Sequence, residues 1–310
     1  MQKITFREQT ISSLFIIIPL ISLILGIIYL PDIITDEIGN GLTIILFTSL
    51  VILLIGFIFT KEKISYFLRI AGWSLFGIYW STQVKHLYYV EAGDFVNAFI
   101  TMVGVFFLFY LAYQEWISLR RDEKNNTLTW AAGVAAIAGI IYYGIEMSPI
   151  EIWLREVVTV QSAWLLNIFT GGVEAKGVFI LYKSASIRII FACTAVQSMV
   201  IFVGMILPLQ NISWRKKGIG LLVTVVPVYF LNLVRNAMIT LLVATYGNEF
   251  FPTAHNIIGK GGSLVALIIL LLIVVKIIPE VLDEIVNLTD LYKRNGPLER
   301  MFKKYIWRKK

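Results

Sequence analysis

Cysteine is nearly absent from this 310-residue chain: Cys193 is the only one. That excludes an internal disulfide and any metal site built from several thiolates. Histidine is almost as scarce, with only His86 and His255, so no histidine metal site is expected, and no cofactor of any kind. Charge is thin as well. Only 15% of the residues are Asp, Glu, Lys or Arg, where a soluble globular chain has about 25%. The sequence has no internal repeat and no low-complexity segment. It also lacks His-Glu-x-x-His, Gly-x-Ser-x-Gly and a Gly-rich Lys loop that would cradle phosphate, which removes the usual zinc-protease, serine-hydrolase and NTPase readings.

What the chain does have is apolar length. Apolar residues make up 58% of it, and several runs reach roughly 17 to 25 residues, enough to cross a hydrocarbon core of about 30 Å. Lipid offers no partner to an open backbone group, so each crossing must be helical. Spans are expected at roughly 10–30, 40–60, 64–80, 94–116, 128–147, 187–208, 218–245 and 262–279. The expected fold class is therefore all-α: a polytopic membrane helix bundle of about eight transmembrane helices. The first run is too long for a signal peptide and has no small-residue cleavage site, so it is read as a helix that stays.

The net charge of +7 is explained by topology rather than by nucleic acid, which is not an expected partner. With the N-terminus inside, the cytoplasmic side receives Lys3, Arg7, Lys61, Lys63, Arg69, Arg120, Arg121, Lys124, Arg215, Lys216, Lys217, Lys276 and the basic tail. The outer side keeps Lys85, Arg155, Lys176, Lys183, Arg188 and Lys260. Lys/Arg bias toward the cytoplasm then sets an N-in, C-in orientation.

The one long connection, roughly 148–186, falls outside. Ile152, Leu154, Val157, Val158, Trp164, Leu165 and Ile168 recur at helical spacing, with Glu151 and Arg155 at i,i+4. That pattern predicts an amphipathic helix at the membrane surface. Gly171-Gly172 follows, and residues 173–182 read either as a short outer hairpin or lid or as a plain interfacial loop. The C-terminal segment to Trp307-Arg308-Lys309-Lys310 reads as an amphipathic helix on anionic headgroups or as a solvated tail.

Three residues draw chemical interest. Arg235 lies well inside the seventh span, with Asn232 three residues earlier on the same face; an intramembrane charge asks for a function or a buried partner. Cys193 sits in a small, polar run with Gln197 at i+4, although a lone membrane cysteine is ordinarily packing. His255 precedes the last span in an outer loop, where histidines are ordinarily solvated; His86 has no polar cluster around it. By helical rise, Cys193 falls about 9 Å and Arg235 about 15 Å below the outer ends of their spans, so all three face the outer half of the membrane. A cation or a histidine base favours the thiolate, and an arginine stabilises an acyl oxyanion.

Ala192-Cys193-Thr194, Asn232-Leu233-Val234-Arg235 and His255-Asn256-Ile257-Ile258-Gly259, in this order, resemble the exosortase and archaeosortase family of membrane transpeptidases. The run Phe191 to Met199 is most similar to the archaeosortase branch. The resemblance covers roughly residues 150–280. It implies a catalytic core at 148–280 (spans six to eight), preceded by supporting helices at 1–147 and followed by a cytoplasmic basic tail at 281–310. It implies catalytic roles for Cys193, Arg235 and His255, with Thr194, Gln197, Asn232 and Asn256 in support. The implied partners are the lipid bilayer, secreted surface proteins with a C-terminal transmembrane sorting signal of the Pro-Gly-Phe type, and a lipid acceptor. The rival expectations are a polytopic transporter with a polar site around Arg235, a membrane enzyme of another type, and a structural assembly factor.

Overall fold

The computed structural model describes residues 5–30, 36–59, 63–89 and 95–306. Lys3 and Lys61 of the expected cytoplasmic cations, and the Trp307–Lys310 end of the tail, lie outside them. In chain order the helices are α1 (Phe6–Tyr29), α2 (Asp36–Ile58), α3 (Lys63–Tyr89), α4 (Phe95–Arg121), α5 (Asn126–Glu146) and α6 (Ile150–Thr170). Three strands follow, β1 (Val173–Lys176), β2 (Phe179–Tyr182) and β3 (Ala185–Arg188). The chain continues through α7 (Val196–Ile206), α8 (Trp214–Tyr246), α9 (Lys260–Ile277), α10 (Glu280–Thr289) and α11 (Pro297–Ile306). The protein is a polytopic all-α membrane protein with one small sheet.

Among the described residues, six helical runs are long and apolar enough to cross a membrane: α1, α2, α4, α5, α8 and the run Asn248–Ile277. Two expected spans are not among them. The segment expected at 64–80 is the longer helix α3, whose polar residues include a buried Arg69. The segment expected at 187–208 is helical only over the eleven residues of α7, about 16 Å of rise, half of what a crossing needs.

The chain divides into two compact units, Met1–Ala136 with Glu284–Lys310, and Ile137–Asp283. In the first unit α3 packs between α2 and α4. A capping box starts α1: the Thr5 hydroxyl accepts from the Glu8 backbone, and the Thr5 N–H donates to the Glu8 carboxylate, satisfying two donors that a helix start leaves open. At the centre of the unit Arg69 and Glu115 form a salt bridge of 2.6 Å, with side-chain exposures of 3% and 0%. Arg69 also donates to the Gly56 carbonyl at 2.8 Å. These two are the most buried charges of the described residues, whereas Arg235 is only half-buried. The tail folds onto α4. Glu299 of α11 accepts from Tyr110, Tyr113 and Gln114, and Arg294 donates to Gln114 and Ser118. A purely solvated tail does not describe these residues.

In the second unit α6 is the helix expected from the 148–186 connection, and its Arg155 meets Glu151 at 3.1 Å. It buries Val158, Ala163 and Leu166 and exposes Trp153, Trp164, Ile168 and Phe169, an apolar stripe suited to lipid. Gly171 and Gly172, both at positive φ, end the helix in a conformation other residues resist. The strands then form an antiparallel sheet in the order β1-β2-β3. Of the alternatives for residues 173–182, the structure has the hairpin, extended by one strand. Alternation drives it. Ile180, Tyr182, Ala185, Ile187 and Ile189 are buried, packing with Val158 and Ala163 of α6 and with Ile239 and Val243 of α8, while Lys183, Ser186 and Arg188 stay exposed.

Candidate functional site

The chain leaves β3 and makes a tight turn before α7. Phe191–Cys193 is a single 3-10 turn, in which the Cys193 N–H donates to the Ile190 carbonyl at 2.8 Å and the Thr194 N–H to Phe191 at 2.9 Å. The Thr194 hydroxyl also donates to Phe191, at 2.7 Å. Ala195 follows at φ 66° and ψ 0°, a left-handed conformation that costs a non-glycine residue on the order of 1 kcal/mol. Cys193 therefore does not lie within a membrane-spanning helix, as its apolar neighbours suggested. Two-residue alternation carries the strand to Ile189, and the left-handed Ala195 breaks any continuous helix through the cysteine.

Helix α8 holds this turn from below. Asn232 and Asn236, one helical turn apart on one face, both aim their carboxamides at the Cys193 carbonyl, at 2.7 Å and 3.1 Å. Both are buried, at 7% and 2% exposure, and Cys193 itself is 7% exposed. Two donors on one carbonyl oxygen use both its lone pairs, which fixes the turn as rigidly as a side chain can. Sequence reasoning found Asn232 but missed Asn236. The available signal was its i+4 spacing from Asn232.

The structure places His255 in a π-helical turn, Thr253–Gly259, that runs into α9. It is not in an open loop. Its ring stacks on Phe251 with centroids 5.3 Å apart. Cys193 and His255 line one cavity of about 210 Å³, together with Asn236 and the residues Ile187 to Ile190. None of the hydrogen bonds among the described residues joins the two side chains.

Arg235 lies on the other side of the turn. It lines a neighbouring cavity of about 250 Å³ with Gln197, Ser198, Asn232 and Ser263. Its Nη1 reaches the Ser263 hydroxyl at 3.4 Å, a long contact, and its Nε has no hydrogen-bond partner. Gly259 is the close neighbour here: a Cβ on it would stand 3.0 Å from Ile239 Cδ1 and 3.7 Å from Arg235 Cδ. The Arg235 and Lys260 cations are within electrostatic reach of His255. Gln197 thus stands with Arg235, and Thr194 is buried and used up by the turn. Asn256 is exposed and lines neither cavity.

The geometry thus gives a thiol on a clamped turn, an imidazole across one cavity, and an incompletely paired guanidinium in the next. The first turn of α7 also has no side-chain cap, so its N–H groups add positive partial charge close to the cysteine.

Comparison with known proteins agrees with the resemblance carried by the motifs. The chain is 23% identical over 188 residues to Archaeosortase A of Natronomonas pharaonis, covering 56% of this chain and 57% of that protein. It is 24% identical over 202 residues to Archaeosortase A of Haloferax volcanii, covering 58% and 63%. The chain thus spans about three fifths of the length of these curated relatives. No solved structure matches it. The protein family described as Transmembrane exosortase (Exosortase_EpsH) matches residues 71–274, a stretch that holds Cys193, Asn232, Arg235, Asn236 and His255. By that match, over well more than half of its length, this multi-pass membrane protein belongs to the transmembrane exosortase family.

Proposed function

We propose that this chain is a membrane cysteine transpeptidase that processes secreted surface proteins at a C-terminal sorting signal. The signal would comprise a short motif of the Pro-Gly-Phe type, one transmembrane helix and a basic end. The site would face the outer side of the cell membrane, where that motif emerges. The observation that carries the reading is the placement of the only cysteine. It sits on a turn held by two buried asparagines and shares a cavity with His255.

In this mechanism Cys193 Sγ attacks the scissile carbonyl carbon as its proton passes to His255. The resulting oxyanion is stabilised by the Arg235 guanidinium, whose Nη1 is engaged only by a long contact to Ser263. Collapse breaks the C–N bond, His255 returns the proton to the leaving amine, and a thioester remains on Cys193. An acceptor amine on a lipid headgroup then attacks the thioester, His255 removes its proton, and the thiol is restored as the surface protein gains a lipid anchor. Domain roles follow: residues 148–280 form the catalytic core, with 1–147 supporting it and 281–310 as a tail. The rival transporter around Arg235 would call for inverted repeats or paired broken helices; the sequence shows no repeat, and α8 runs on through Pro227.

The test is to trap the intermediate. Membranes containing the protein are incubated with a substrate carrying the signal and quenched in acid, and the digest is examined for an acyl group on the Cys193 peptide. An adduct released by neutral hydroxylamine is the expected result. Turnover without any adduct on Cys193, with acceptor withheld, would sink the thioester step.

The asparagine clamp makes its own prediction. Asn236→Leu keeps the volume and removes one charge-free hydrogen bond, worth about 1–1.5 kcal/mol. Processing should therefore fall about tenfold, through kcat rather than KM, with normal amounts of protein in the membrane. An unchanged kcat would mean that the clamp serves folding alone.

A further inference from the structure

We propose that the open edge of β3 is a peptide-docking strand: an extended segment of the protein substrate, adjacent to its scissile bond, adds to the sheet as a fourth strand. This rests on the reading that the chain acts on a peptide.

The register shows which backbone groups are open. β3 pairs with β2 through Ala185↔Tyr182, Ser186↔Leu181, Ile187↔Ile180 and Arg188↔Phe179, and the Ile189 N–H donates to the Val178 carbonyl at 2.8 Å. In an antiparallel pair alternate residues aim both backbone groups at the partner. Ala185, Ile187 and Ile189 therefore face β2, and Ser186 and Arg188 aim their N–H and C=O at the opposite edge. β3 is the last strand of the sheet, so no strand takes those groups.

Edges are usually blunted by short length, charge, a bulge, a proline or a covering element. β3 is short and carries Arg188, and it has no proline, so its edge stays able to pair where it meets the cavity. The hollow that holds Cys193 and His255 is lined by Ile187 to Ile190, by Asn236 and Ile239 of α8, and by Phe251 and His255. No residue of β1 or β2 lines it, so it lies on the open side of β3. A chain that reaches Cys193 through this hollow passes along Arg188 and Ile190. The free groups of Ser186 and Arg188 then supply the two-residue spacing that an extended main chain needs. The buried face of β3 packs on α8, where Ile187 and Ile189 meet Ile239 and Val243, and Ile187, Ile189 and Ile239 also line the hollow.

This mode lets one site take substrates of differing sequence. Main-chain bonds give affinity without regard to sequence, and only the side chains that fall into the hollow are read. The aromatic wall of Phe251 suits one apolar or aromatic residue of the signal.

The test uses the full chain carrying Cys193→Ala, in lipid nanodiscs, so that binding is read without turnover. The probe is a fluorescent peptide of about twelve residues containing Pro-Gly-Phe, with a companion series in which one residue at a time is N-methylated. Every second position should lose affinity about tenfold or more, with tolerance in between, because β pairing has a period of two. Arg188→Pro, which deletes the outward N–H and is allowed on an edge strand, should weaken the unmodified peptide similarly. Arg188→Ala should leave the alternating pattern in place.

A flat methylation scan, equal losses at neighbouring positions, full affinity with Arg188→Pro, or no binding of the unmodified peptide would each overturn the docking strand. The parent reading fails separately. If the scan alternates yet Cys193→Ala membranes still process substrate, the edge stands and the cysteine mechanism falls. If processing needs Cys193 while the scan is flat, the reverse holds.

Discussion

Cells carrying Cys193→Ala or Cys193→Ser should insert the protein normally and leave its surface-protein substrates unprocessed, with the C-terminal helix still attached and no lipid label. Loss of a nucleophile leaves only what binding and the remaining polar groups supply, so the fall should be roughly 10⁴-fold or more. Serine is not a rescue. A thiol is partly ionised near neutral pH and strongly nucleophilic, whereas a hydroxyl needs a tightly coupled base. No hydrogen bond joins Cys193 to His255 among the described residues, so that coupling is not ready-made. Arg235→Ala should cost about 10² to 10³ in kcat, the loss expected when an oxyanion partner is removed. Arg235→Lys should recover only part of it, because an ammonium keeps the charge but not the planar fork. Size and lipid labelling of surface proteins, measured beside membrane-inserted protein levels, reads all four variants. Normal processing in both cysteine variants would make Cys193 packing, and the assay to run next would be transport centred on Arg235.

The second large effect is on stability. Arg69→Met should lower the stability of the first unit by about 3–5 kcal/mol, because it strands the fully buried Glu115 carboxylate without its counter-charge. Glu115 has no alternative: its Oε1 is held by Arg69 and its Oε2 has no partner. Glu115→Leu should cost a similar amount by stranding Arg69, which would keep only the Gly56 carbonyl and the face of Tyr66, 5.1 Å from its ring centroid. The double variant, Arg69→Met with Glu115→Leu, should recover most of the loss, since apolar side chains of similar volume often replace a buried pair without penalty. Thermal unfolding in detergent, arranged as a double-mutant cycle, measures the coupling. Additive losses in the double variant would mean that the two side chains act independently.

Most of the helical frame was legible in the sequence. A run such as Leu14 to Tyr29, or Leu264 to Ile277, has no way to satisfy its surroundings except as a helix in lipid, and that is a local property. The candidate chemistry was legible as well, because Cys193, Arg235 and His255 are conspicuous by scarcity or by place. The turn that presents Cys193 was not. Ile187, Ile189 and Ile190 look like the start of an apolar span, and residue type alone does not distinguish a buried strand from a buried helix over so short a run. The left-handed Ala195 left no trace, since an alanine gives no warning of positive φ.

The sequence by itself determined most of the long apolar helices, the all-α membrane class and the short roster of candidate side chains, because hydropathy and rarity are carried by each segment alone. Tertiary structure decided which polar groups meet. Asn236 reaches the Cys193 carbonyl from 43 residues away, Arg69 reaches Glu115 across 46, and Glu299 reaches Tyr113 across 186. A buried polar group must find a partner wherever the packing of helices brings one, and that is fixed by the whole fold at once, not by any segment of it.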